Sequence, residues 1–287
     1  MSTTAVLASI RLNPRNFPQM RRQPRRAFDA IRFDSNNDCN VHCVYCHSPR
    51  SDALVDLEEF RDYLHRCVAG VEQFQMGCGM EPTLDARLCD FLEAVAQARL
   101  QPKSVRLQTN GILLHRHEPE RMAAAGLSVL SVSVDSALAG THQDLRGGTS
   151  LDKVEHNMRE FRLRCPAVRL ATLTTVTRAN IAQLEDLVAW GIELGVTHFT
   201  FRQMFHDPDS DLVDHARMRE LLAPAPEFAA ARQRIQARFG GKVAFGFLDS
   251  DTLLGEIART SAASRDFILG SRPGDRSAPA RPAVSQE

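Results

Sequence analysis

The chain carries no net charge, because 35 lysines and arginines balance 35 aspartates and glutamates. A protein that binds nucleic acid by neutralising phosphates needs a basic excess, so nucleic acid is not an expected partner. The local cluster Arg21, Arg22, Arg25 and Arg26 reads as a solvated basic arm. No apolar run approaches the roughly 18 residues that a membrane span requires, and the N-terminus lacks the continuous apolar stretch of a secretory signal. Seven cysteines, an odd number, do not form the paired framework of a secreted scaffold. No cysteine follows Cys165 in this sequence. Together these absences predict a protein of the reducing cytoplasm with no membrane partner, where clustered cysteines hold metal more often than they hold each other.

What is present is a substantial core and a rhythm. A hydrophobic content of 43% over 287 residues suffices to fill one large domain. Strands are expected at Phe28–Phe33, Gln73–Met76, Ser104–Gln108, Ser128–Val134, Arg169–Val176 and His198–Phe201. Amphipathic helices alternate with them, among them Leu57–Val71, Asp85–Arg99, Leu151–Arg164 and Ile181–Leu194. Six strand–helix alternations predict an α/β fold with a parallel sheet, either open or a partial barrel, whose functional loops lie at the C-terminal strand ends. Residues 1–26, interrupted by Pro14, Pro18 and Pro24, read as a basic N-terminal extension, and 27–210 as the core. Residues 211–270 read as a C-terminal helix and strand extension over the barrel, with a strand at Lys242–Leu248. The Pro-, Ser- and Ala-rich stretch 271–287 reads as a disordered tail.

The first strand is followed by Asp34-Ser-Asn-Asn-Asp-Cys39-Asn-Val-His-Cys43-Val-Tyr-Cys46-His47. Cys-x3-Cys-x2-Cys puts three thiols on one short loop. A structural zinc site closes with four ligands, whereas a cluster held by three leaves one iron open. The spacing alone leaves alternatives: a zinc site completed by His42 or His47, or a chance group of buried cysteines. Downstream lies Gly77-Cys-Gly-Met-Glu-Pro-Thr-Leu84, where glycines allow a backbone to approach a ligand closely. Leu107-Gln-Thr-Asn-Gly111 closes the third expected strand, and the fourth places Ser131, Ser133 and Asp135 on one face by alternation.

These motifs, in this order over residues 28–205, resemble the radical S-adenosylmethionine superfamily, in which an aromatic residue such as Tyr45 precedes the last cysteine. The resemblance implies a partial (β/α)6 TIM-like barrel with a [4Fe-4S] cluster on Cys39, Cys43 and Cys46. It implies S-adenosylmethionine on the open iron and a 5′-deoxyadenosyl radical that abstracts hydrogen from substrate. It places the cofactor against Tyr45, Gly79, Met80, Glu81, Asn110, Ser133, Asp135 and Met204, with Met80 standing where the superfamily has a second glycine. Within the superfamily the core is similar to the GTP cyclases of molybdopterin biosynthesis, including Arg32 seven residues before the first cysteine. It departs from them where their fifth-strand lysine would fall at Leu170 and where they carry a second cysteine triplet near the C-terminus.

The expected function is therefore a single-cluster radical enzyme acting on a small molecule in a biosynthetic pathway, reduced by a donor such as flavodoxin or ferredoxin. Arg32, Arg146, Arg169 and Arg202 are substrate candidates, because a guanidinium fork binds oxyanions bidentately. Asp34 and Gln203 lie near the same strand ends. Cys78, inside the cofactor loop, is a candidate hydrogen-atom donor or a small apolar filler. Two other functions fit the triplet: a single-cluster peptide-modifying enzyme, and a non-enzymatic iron–sulfur or zinc sensor.

Overall fold

A computed structural model of the chain describes residues 9–22, 29–66, 71–98, 100–208 and 210–250. Cys67, the arginines at 25 and 26 and the tail at 271–287 lie outside them. Ten strands occur among the described residues: β1 (Ser9–Leu12), β2 (Ala30–Phe33), β3 (His42–Cys43), β4 (Gln73–Met76), β5 (Ser104–Thr109), β6 (Leu127–Ser133), β7 (Arg146–Gly147), β8 (Arg169–Val176), β9 (Val196–Gln203) and β10 (Ala244–Leu248). Eight form one sheet in the order β1-β2-β4-β5-β6-β8-β9-β10, and each neighbouring pair is parallel. Helices over Leu57–Arg66, Leu88–Gln97, Leu151–Arg164 and Leu184–Glu193 fall between these strands, as in a partial barrel of βα units.

The strand sequences alternate, which explains the two faces of this sheet. In β2, β4 and β5 the apolar residues Ile31, Phe33, Phe74, Met76, Val105 and Leu107 enter the main hydrophobic core. There Phe33 stacks on Phe60 with ring centroids 4.2 Å apart and meets Phe91 at 5.3 Å, so helices Leu57–Arg66 and Leu88–Gln97 cover that face. The intervening Arg32, Gln75 and Gln108 face a cavity on the other side. A sheet buried under helices on both faces would show near-continuous apolar strands instead. This alternation is the signature of a polar lumen.

Three elements differ from the sequence reading. Ser9–Leu12, assigned by its surroundings to a basic extension, is an edge strand parallel to β2. The last strand, β10, lies beside β9 and prolongs the sheet. The helix expected from Ile181 begins at Leu184 because a short 3-10 turn at Ile181–Gln183 comes first, and the one expected from Asp85 begins at Leu88. No described helix is long and apolar enough to cross a membrane.

Candidate active site

The C-terminal strand ends surround a cavity of about 430 Å³. Cys39, Cys43, Cys46 and Tyr45 line it, as do Cys78, Gly79, Met80 and Glu81 from the loop after β4, with Asn110, Ser133 and Met204 from the ends of β5, β6 and β9. Sequence-distant motifs thus meet because parallel strands end on one side.

The cysteine loop is tied at several points. His42–Cys43 pairs antiparallel with Arg146–Gly147, and Val44 donates its N–H to the Leu145 carbonyl at 3.0 Å. Arg50 donates to the carbonyls of Cys39 and Val41. The phenol of Tyr45 donates to Asp135 and accepts from Arg146 Nη1 at 3.0 Å, while Arg146 also pairs with Asp135 at 3.4 Å. Burial pushes the Cys39 thiol up to about 11 and raises that of Cys43 too. The thiols are therefore kept protonated until a cation neutralises them, and a bound metal does so outright. Three thiols around a cavity suit a cluster with one open iron. His47 lines the same cavity and stacks on Phe205 at 5.5 Å, whereas His42 is exposed.

The loop after β4 is organised by two buried carboxylates. Asp34, at the end of β2, accepts the N–H groups of Cys78 (2.7 Å), Gly79 (3.2 Å) and Met80 (3.3 Å) and pairs with Arg11 at 3.0 Å. Glu81 accepts from Thr83 N (3.0 Å), Thr83 Oγ1 (2.6 Å), Thr109 Oγ1 (2.6 Å) and Asn110 N (2.7 Å). Burial raises its carboxyl pKa and these donors pull it back. Gly77 has φ +80°, and a Cβ there would stand 2.1 Å from the Gln108 carbonyl. At Gly79 a Cβ would meet the Arg11 guanidinium at 1.9 Å. Met80 has an ordinary negative φ, which is why a side chain replaces the second glycine without backbone strain.

Two candidates are placed differently from expectation. Asp135 does not line the cavity. β6 ends at Ser133, so alternation no longer governs residue 135, and its fully buried carboxylate braces Tyr45, Arg146 and the Thr175 N–H (2.9 Å). Arg169 opens β8 at the opposite end of the sheet and is exposed. Arg32, Arg146, Arg202, Gln203 and Cys78 do reach the cavity. Burial raises the Cys78 thiol, which keeps it protonated. Arg11, Gln75, Leu173 and Thr175 also line the site and had no motif to announce them. Strand alternation could have pointed to Gln75 and Thr175 as polar members, but not to the apolar Leu173.

The sequence profile of the Radical SAM superfamily matches residues 35–191. A GTP 3′,8-cyclase from Synechococcus elongatus is 33% identical over 171 residues, covering 57% of this chain and 51% of the cyclase. The mycofactocin maturase MftC of Mycobacterium tuberculosis is 26% identical over 188 residues, covering 63% of this chain and 46% of the maturase. The chain thus spans about half the length of these relatives. In fold it is similar to Streptococcus suis SuiB bound to S-adenosylmethionine, with a TM-score of 0.61, 13% identity, and coverage of 77% of this chain and 50% of SuiB.

Proposed function

Since this chain belongs to the Radical SAM superfamily, whose profile matches more than half of it, we propose that Cys39, Cys43 and Cys46 hold a single [4Fe-4S] cluster in an enzyme that takes hydrogen from a small molecule in a biosynthetic pathway. Gly79, Met80, Glu81, Asn110, Ser133 and Met204 form the S-adenosylmethionine site, and a flavodoxin or ferredoxin supplies the electron in the cytoplasm. The observation that carries this reading is the meeting of three thiols and the Gly77–Glu81 loop in one cavity. With both cofactors bound, one-electron reduction cleaves the sulfonium and yields a 5′-deoxyadenosyl radical.

The chain's own contribution is positional. Asp34 gathers three successive N–H groups and sets the path of the cofactor loop. Glu81 ties that loop to the end of β5. Tyr45, Asp135 and Arg146 brace the cysteine loop against the end of β6. Reacting atoms held this way need little further ordering, and the cavity walls limit the water that could quench a radical.

Electron paramagnetic resonance of the anaerobically reconstituted, dithionite-reduced protein tests the reading. A reduced [4Fe-4S] signal that changes shape on adding S-adenosylmethionine is expected. A protein that takes up zinc and shows no such signal contradicts it. SuiB has also been seen with its precursor peptide SuiA, which favours a second reading, peptide modification by the same single cluster. A substrate-bound structure separates the two.

A further inference from the structure

The stretch that leads from β2 into the cysteine triplet makes two different sets of bonds. Asn37 turns towards its own loop. Its amide donates to the Pro49 carbonyl at 3.2 Å and to Ser51 Oγ at 2.9 Å, and its carbonyl accepts the Ser51 N–H at 2.8 Å. An antiparallel bridge to Leu54 keeps Asn36 extended, so its side chain leaves on the side opposite to that of Asn37. There Asn36 Nδ2 donates to the Glu81 carbonyl at 2.9 Å, and the Glu81 N–H donates to the Asp38 carbonyl at 3.0 Å. Asn40, between Cys39 and Cys43, accepts at Oδ1 from Asn110 Nδ2 at 2.7 Å.

The Glu81 carboxylate accepts the Asn110 N–H at 2.7 Å, and with it these bonds close a circuit. It runs from Asn36 and Asp38 to Glu81, on to Asn110 at the end of β5, and back to the cysteine loop at Asn40. Asn36, Glu81 and Asn110 are all buried, so breaking a member leaves a buried polar group unpaired. Both polar atoms of the Asn110 side chain are used within the protein, because its Oδ1 accepts the Ile112 N–H at 3.0 Å. Asn110 therefore serves the cavity as a strut. A single tie would let one loop pivot on the other, whereas a closed circuit fixes the spacing between them.

We propose that Asn36 and Asn40, acting with Glu81 and Asn110, are positioning residues that couple the two halves of the cofactor site by holding the Gly79–Glu81 loop at a fixed spacing from the thiols. S-adenosylmethionine, as placed above, meets both the cluster and that loop. A ligand that spans two loops binds tightly when their spacing is set beforehand, and loses affinity when it must first order them. Asn37 ties the cysteine loop only to itself, so it serves assembly of the cluster and not this coupling. The proposal rests on the radical-enzyme reading for the identity of the ligand that spans the two loops.

Equilibrium dialysis of S-adenosylmethionine with the anaerobically reconstituted full chain tests this, beside iron content and the electron paramagnetic resonance of the reduced cluster. Asn40→Ala should load iron and give the cofactor-free signal of wild type. It should nevertheless bind S-adenosylmethionine about tenfold more weakly, as the loss of one hydrogen bond to a buried amide provides. Asn40→Asp keeps an oxygen facing Asn110 Nδ2 and should stay within about threefold of wild type. Asn36→Asp keeps the oxygen that accepts the Asp38 N–H (2.9 Å) but loses the donor to Glu81, so it should bind as weakly as Asn40→Ala. The same exchange thus has opposite outcomes at 36 and 40, because the two bonds run in opposite directions. Asn37→Ala should show the reverse pattern, with less iron per chain and wild-type affinity in the loaded fraction. Unchanged affinity in Asn40→Ala or Asn36→Asp, an equal loss in Asn40→Asp, or weakened affinity in loaded Asn37→Ala overturns the coupling. So does an Asn40→Ala protein that takes up no iron, since the tie would then serve cluster assembly. Should Asn36→Asp not fold, the two variants of the half-buried Asn40 decide. A wild type that forms no cluster removes the radical-enzyme reading and this coupling with it. A cluster-bearing wild type whose Asn40→Ala variant binds S-adenosylmethionine equally well removes the coupling alone.

Discussion

Glu81 Oε2 accepts the backbone N–H of Asn110 at 2.7 Å, joining the loop after β4 to the end of β5. The other oxygen, Oε1, takes two hydroxyls and a second N–H, so every partner of this fully buried carboxylate is a donor. Glu81→Gln keeps the shape but turns one acceptor into a donor that faces donors. The expected loss is about 2 kcal/mol of stability, together with weaker S-adenosylmethionine binding. Urea unfolding and equilibrium dialysis of wild type and variant check both, and an unchanged variant would remove the carboxylate from the account.

Gly77 and Gly126 have nearly the same positive φ, +80° and +85°, but different surroundings. An added Cβ at Gly126 meets nothing within 4 Å, whereas at Gly77 it meets the Gln108 carbonyl at 2.1 Å. Gly126→Ala should cost only the backbone strain, about 1 kcal/mol. Gly77→Ala adds a clash with main chain that cannot swing aside, and should cost at least about 2 kcal/mol more. Urea midpoints of the two variants measure the difference, and equal midpoints would mean that the loop after β4 is not held as described.

Acid should weaken the fold through His142. Burial and the nearby Arg146 lower its pKa from 6.5 to about 4, with Asp135 opposing them. Its Nδ1 accepts the Asp135 N–H at 3.3 Å and its Nε2 is buried without a partner, which fits a neutral ring. The unfolded chain therefore binds this proton first. Stability present above pH 6.5 is lost as pH falls towards 4, by about 2 kcal/mol between neutral pH and about pH 5. Unfolding free energies across that range should slope less steeply for His142→Gln than for wild type, and parallel slopes would exclude His142 as the cause.

Local signals made much of this fold legible. Gln73–Met76, Arg169–Val176 and Leu151–Arg164 fall where strand alternation and helical period place them. The cavity-lining cysteines and the Gly77–Glu81 loop were legible as motifs. Ser9–Leu12 was not, because four residues in a basic, proline-interrupted stretch become a strand only by pairing with β2. Arg11 was missed with it. The in-register row of Arg32, Gln75 and Arg106 exists only in the pairing between strands, which no single segment encodes. Asp135 misled because alternation was carried past the point where β6 stops.

The central claim is that the triplet starts radical chemistry. The direct measurement is 5′-deoxyadenosine formed from S-adenosylmethionine and dithionite by the anaerobically reconstituted protein, with Cys43→Ala beside it. Wild type should form it, and the variant should fall by about a thousandfold or more, as expected when a cofactor that carries the chemistry loses a ligand. No 5′-deoxyadenosine from wild type, or formation undiminished in Cys43→Ala, would contradict the account.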